Sequence, residues 1–146
     1  MPLEKELMKK SALILVCSLN FIAIFAAAHG EDKEGPHGGF IRMPGAFHTE
    51  LVSDGKNKLK IYLLDIQWKN PSIKKSEVLV NLNDKLNAKC EAQKKYFLCS
   101  FPKSVDLTKK GLLKVTAVRE EQKGMEVSYP LPLKLEVIDD GHGDHH

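Results

Sequence analysis

Residues 47–65, FHTELVSDGKNKLKIYLLD, set the frame for the whole chain. Phe47, Thr49 and Leu51 fall on one side of an extended run, and His48, Glu50 and Val52 fall on the other. Asp54-Gly55-Lys56-Asn57 then reads as a strong turn. Beyond it, Leu59, Ile61 and Leu63 line one face while Lys60 and Tyr62 line the opposite one. A period of two on both sides of a short turn predicts a β-hairpin with one face in a core.

The rest of the chain repeats this signature. Phe40 to Met43 is a short candidate strand before the hairpin, with the bend Pro44-Gly45 between them. Gln67 to Lys75 contains Asn70-Pro71 and reads as a loop, in which Trp68 reads as a lid on the core. Glu77 to Leu82 alternates, Asn83-Asp84 turns, and Leu86, Ala88 and Cys90 line the next strand. Phe97, Cys99 and Phe101 line another, ended by Pro102, and Val105 to Gly111 reads as a crossing between two layers. Leu113, Val115 and Ala117 alternate, with a turn expected at Gln122-Lys123-Gly124. From Met125 to Val137 the odd-numbered residues are apolar almost throughout, but Pro130 and Pro132 cannot donate to a ladder. That strand is therefore expected at an edge or at a bulge. No helix of convincing length is visible after residue 28. Seven or eight short strands predict an all-β fold, an immunoglobulin-like antiparallel β-sandwich, with a small closed barrel as the alternative.

The first 28 residues differ in kind. Lys9 and Lys10 precede an apolar run from Ser11 to Ala28 that ends in small residues. A basic start, an apolar middle and a small-residue end make a secretory signal, with Met8 a more natural start than Met1. A cut after Ala28 leaves His29 as the new N-terminus; a cut after Gly30 is the alternative. As a membrane span the run is short and interrupted by Ser18 and Asn20. As a lipidation site, Cys17 follows Val16, which is bulkier than lipoprotein signals allow. The expected organisation is a signal over 1–28, a flexible segment over 29–39, a sandwich over 40–138 and a His/Asp-rich tail over 139–146. The expected compartment is periplasmic or secreted. Cys90 and Cys99 then remain as an even pair in an oxidising space, which predicts a disulfide stapling two strands.

The full chain carries a net charge of +3. Its charges are interspersed, and no basic stripe with interleaved aromatics marks a nucleic-acid surface. There is no G-x-S-x-G, no H-E-x-x-H and no Gly-rich phosphate loop, so a binding protein is expected rather than an enzyme. The histidines point to metal. His29, His37 and His48 lie near the mature N-terminus, and His142, His145 and His146 lie in the tail. Neutral imidazole suits copper or zinc, with Glu50, Asp140 or Asp144 as carboxylate helpers and Met43 as a soft ligand for Cu(I). His29 with a free amine would chelate Cu(II). His37 sits in a glycine-rich turn and His48 on a strand, and the two are expected to converge. The competing readings are a turn-capping His37, a solvent-facing His48 and a solvated tail.

Pro36-His37-Gly38-Gly39, Phe47-His48-Thr49-Glu50-Leu51-Val52 and Ile61-Tyr62-Leu63-Leu64-Asp65 together carry a resemblance. They resemble the small histidine-bearing β-sandwich domains found alone or fused to periplasmic adaptor subunits of heavy-metal efflux pumps. The segment is also similar in outline to FixH-like periplasmic domains linked to copper-oxidase assembly. The resemblance implies metal contacts at His37 and His48, Glu50 as a helper, and a partner in metal efflux or oxidase assembly. The coiled-coil and barrel segments of an adaptor are missing, so the implied role is stand-alone metal buffering or delivery. A metal-free immunoglobulin-like module that binds a protein partner is the alternative.

Overall fold

A computed structural model describes residues 33–134. Ten strands follow in order: β1 Phe40–Arg42, β2 His48–Ser53, β3 Lys58–Leu64, β4 Glu77–Leu82, β5 Leu86–Asn87, β6 Lys89–Ala92, β7 Phe97–Ser100, β8 Gly111–Arg119, β9 Gln122–Lys123 and β10 Val127–Leu131. One sheet has the order β1-β2-β3-β7-β6, and the other has β10-β8-β4-β5 with β9 also paired to β8. All pairings between strands are antiparallel. Among the described residues there is no helix, hence none long and apolar enough to cross a membrane. The fold is an all-β sandwich.

The hairpin read from residues 47–65 is present, with His48 opposite Leu64 and Ser53 opposite Leu59. Its inward residues Leu51, Leu59, Ile61 and Leu63 are fully buried against Val80 and Leu113 of the second sheet. Burying side chains of this size contributes roughly 1.5–3 kcal/mol each, which makes the first-sheet register costly to shift. Tyr129 is also fully buried, and its hydroxyl lies 2.6 Å from Thr49 Oγ1. That bond joins β2 to β10 across the core. Burial lifts the Tyr129 hydroxyl far above its ordinary value of 10.0.

The strand count exceeds seven or eight for two local reasons. Residues 86–90 do not form one strand. Leu86 and Asn87 pair with β4, Ala88 donates its N–H to Val80 O, and Lys89 onward pairs with β7 in the other sheet. The chain thus changes layers at Ala88. The second reason is the turn after β8, which falls on Glu120-Glu121 rather than on Gln122-Lys123-Gly124. Both glutamates have positive φ, 47° and 69°, and Arg119 pairs with Gln122 across them. This is the twist of a two-residue hairpin loop.

The last strand also departs from the expected length. β10 begins at Val127, because Met125 donates its N–H to Pro44 O instead of joining the ladder. Met125 is accordingly exposed rather than inward. β10 lies at the edge of its sheet, where Pro130 needs no donor. β10 ends at Leu131, so residues 132–134 of the expected strand are not part of it, and residues 135–137 lie outside the described residues. Cys90 and Cys99 are directly opposed on β6 and β7 and are joined by a disulfide.

Candidate functional site

The pleat sends His48 and Glu50 to the outer face of the first sheet, where side chains ordinarily meet water. Here they do not. Glu50 is fully buried and His48 is only 4% exposed. Two segments cover them, the turn Gly35–Gly39 over Glu50 and the loop after Asp65 over His48. Ile41 and Leu64 are fully buried beside them, although neither belongs to the central core. They pair with Glu50 and His48 respectively, so a second, smaller apolar layer lies on this face.

The turn over Glu50 follows from its glycines. Gly35 and Gly39 exchange a backbone bond, Gly38 N–H returns to Gly35 O, and Gly38 adopts φ +77°. Pro36 supplies the fixed φ of a turn's second residue. A Cβ at Gly35 would collide with the Glu50 carboxylate, so the backbone can approach this closely only without one. Part of the segment expected to be irregular, Glu34 to Gly39, is thereby pinned to β2, with Glu34 bridged to Phe40.

Glu50 is the pin. Its Oε1 accepts the backbone N–H of His37 at 2.7 Å and that of Gly39 at 3.1 Å. Its Oε2 lies 2.6 Å from His37 Nδ1. A carboxylate only accepts, so Nδ1 carries a proton, and in the neutral ring Nε2 is the nitrogen with the lone pair. The imidazole stacks on Tyr62, with centroids 3.7 Å apart and planes 5° apart. Its side chain remains 32% exposed, and no protein group among the described residues bonds Nε2. Burial, partly offset by the Lys60 charge, raises the Tyr62 hydroxyl above 10.0, so it remains neutral near pH 7.

His48 is fixed in the same sense by a different partner. Its Nδ1 donates to Asp65 O at 3.1 Å; a carbonyl only accepts, so in the neutral ring Nε2 is again the nitrogen with the lone pair. The Asp65 side chain builds the covering loop. Oδ1 accepts Gln67 N–H and Lys69 N–H, both at 2.9 Å, and Oδ2 accepts Asn70 Nδ2 at 2.8 Å. These bonds, first that from Lys69, hold the Asp65 carboxyl below its ordinary value of 3.8. Arg119 straps the loop down, donating to Asn70 O at 2.8 Å and Leu63 O at 3.2 Å. The loop sets Trp68 edge-on to His48, with centroids 5.8 Å apart. Trp68 is therefore a lid over the outer layer and not over the central core.

His37 and His48 thus face separate partners: Glu50 and Tyr62 hold one, Asp65 and Trp68 the other. Glu50, expected as a helper at the ion, has both oxygens taken by donors of the 35–39 turn and acts on the His37 ring instead. Among the described residues no three His, Cys, Asp or Glu side chains gather to hold an ion. His29, His142, His145 and His146, with Asp140 and Asp144, lie outside the described residues. Asp65, Trp68 and Arg119 were not read as site residues. The usable signal was an Asp at the head of a loop containing Asn70-Pro71, where its side chain can cap the following N–H groups.

Compared with protein-family models, curated proteins and solved structures, the chain matches none.

Proposed function

We propose that this is an exported metal-binding protein that buffers or delivers copper or zinc, with His37 and His48 as its fixed ligands. One observation carries the reading. Both imidazoles are tied through Nδ1 to an oxygen acceptor, leaving Nε2 unengaged. Metal-ligating histidines are held this way, because the acceptor fixes the tautomer and the ring orientation. Two such rings on one face of a small sandwich, in a chain with a signal-like leader, are difficult to explain as packing alone. Remaining coordination positions fall to His29, His142, His145 and His146, or to a delivery partner. The sequence resemblance supports, as part of this proposal, a partner in metal efflux or copper-oxidase assembly.

Titrating the exported protein with Cu(I), Cu(II) and Zn(II) against competing chelators tests this. His37→Ala and His48→Ala are each expected to lower affinity at least ten-fold. The reading fails if stoichiometric binding survives both changes and disappears on removing the last five residues.

A second reading has one observation in its favour. Leu79 is 52% exposed on the outer face of the second sheet, beside Glu77 and Val118 in a shallow groove. A metal-independent protein partner would bind there. Leu79→Asp would then abolish its capture while leaving metal titrations unchanged.

A further inference from the structure

We propose that the outer face of the first sheet, over β3, β7 and β6, is a docking surface for an anionic phospholipid bilayer. The inference does not depend on the metal-binding proposal above and adds a second partner to it.

The ladders fix which residues share this face. Lys60 on β3 stands opposite Leu98 on β7, which stands opposite Glu91 on β6. Two residues along, Lys58, Ser100 and Lys89 form the next row in the same register. Two residues the other way, Tyr62 and Tyr96 meet, with ring centroids 5.3 Å apart. Gln93 donates its N–H to Tyr96 O, so Lys94 and Lys95 are the loop residues at the tip of the β6–β7 hairpin, directly before that row. Lysines are thus spread over three adjacent strands and the turn that joins two of them.

Most of that charge is not neutralised on the spot. Lys89 pairs with Glu91 at 3.0 Å, but Lys58, Lys60, Lys94 and Lys95 have no carboxylate partner among the described residues. The other carboxylate on this face, Glu50, is fully buried and bound to His37. The outer face of the second sheet differs. There Lys114 pairs with Asp84 at 2.7 Å and with Glu126 at 3.8 Å. One side of the sandwich is cationic and the other is balanced, which gives the molecule a preferred orientation at a negatively charged plane.

The aromatic rings narrow the kind of anion. His37 stacks on one face of Tyr62, and the Lys60 ammonium lies over Tyr96, 5.3 Å from its centroid. A nucleobase needs an open ring face to stack on, and neighbours already take one face of each ring. What the row offers instead is half-buried tyrosines set among lysines. Tyrosine settles at the headgroup level of a bilayer, and each lysine near an anionic surface shifts partitioning about five-fold.

Flotation of the exported protein with vesicles tests this, in buffer with a metal chelator so that bound ions play no part. Vesicles of phosphatidylglycerol and phosphatidylcholine in equal parts are expected to carry the protein at low salt. They are expected to release it near 1 M salt, where charges are screened beyond about 3 Å. Vesicles of phosphatidylcholine alone are expected not to bind it. Lys60→Gln, Lys94→Gln and Lys95→Gln together are expected to weaken partitioning about 100-fold, with unchanged circular dichroism, while arginine at the same positions preserves it. Lys114→Gln with Lys123→Gln, on the second sheet, is expected to change it little. Equal binding to phosphatidylcholine, an equal loss in the second-sheet variant, or tighter binding to a soluble single-stranded oligonucleotide than to the vesicles each overturns the assignment. None of those results bears on the metal titrations, so the two proposals fail separately.

Discussion

Glutamine at position 50 separates what Glu50 does for the fold from what it does for His37. The substitution preserves shape. The amide oxygen can still accept the N–H groups of His37 and Gly39, as Oε1 does at 2.7 and 3.1 Å. The amide nitrogen then faces His37 Nδ1, where the carboxylate accepted at 2.6 Å. An NH₂ group donates, so Nδ1 must accept and the ring proton moves to Nε2. Stability should fall modestly. Charge-assisted bonds contribute about 1 kcal/mol more than neutral ones, and the easier burial of a neutral amide offsets part of the three-bond loss. The expected net change is about 1–2 kcal/mol. Glu50→Ala, which leaves buried donors unpaired, should cost about 3–5 kcal/mol. Metal affinity should fall further than the fold does. Altering the group that orients a ligating histidine typically costs 10–100-fold, about 1.4–2.7 kcal/mol. Urea unfolding gives the first quantity, chelator competition the second, and ¹⁵N chemical shifts of the imidazole report the tautomer directly. The reasoning is refuted if the parent His37 carries its proton on Nε2, or if Glu50→Gln binds metal as tightly as the parent.

Two further predictions concern the sandwich itself. Tyr129→Phe removes the hydroxyl bonded to Thr49 and should cost about 1 kcal/mol at neutral pH. Because burial raises the Tyr129 pKa in the folded state, its contribution is complete below pH 10 and is lost above it, as the unfolded chain ionises first. The urea midpoint of the parent should therefore drop more steeply between pH 9 and 11 than that of Tyr129→Phe, and parallel curves would contradict this. Replacing Cys90 and Cys99 together by alanine opens a loop of sequence separation 9. Chain entropy sets the expected loss at roughly 2–3 kcal/mol, measurable as a lower free energy of urea unfolding, with the slope held or raised as the unfolded chain loses its cross-link.

The inward faces were legible because alternation with a period of two is itself a physical constraint. A strand with Leu59, Ile61 and Leu63 on one side has a single way to bury them. The edge position of β10 was legible for a similar reason, since Pro130 lacks the donor that a central strand requires. What sequence concealed was coverage of the outer face. His48 and Glu50 occupy positions that alternation assigns to solvent, and nothing local announces that two loops fold over them. Glu50 is buried because Gly35 and Gly39 let a backbone approach it, a contact made across more than ten residues. The layer change at Ala88 was hidden for the opposite reason: alternation continues through it while the hydrogen-bond partners change. Glu120-Glu121 carries none of the Asn-Gly chemistry that marks a two-residue hairpin, so the sequence pattern points to a turn two residues late. The separate partner that each of the two histidines takes was likewise beyond sequence, because a shared face does not fix which neighbour each ring will turn toward.

The first and last strands are neighbours in space. Arg42 of β1 donates to Ser128 O and lies over the Tyr129 ring, and Thr49 meets Tyr129 across 80 residues of chain. Closing this edge of the sandwich therefore waits for contacts distant in sequence, and topologies of this sort assemble in milliseconds to seconds rather than microseconds. Until residue 131 is available, the core shared by β2 and β8 lacks Val127, Tyr129 and Leu131.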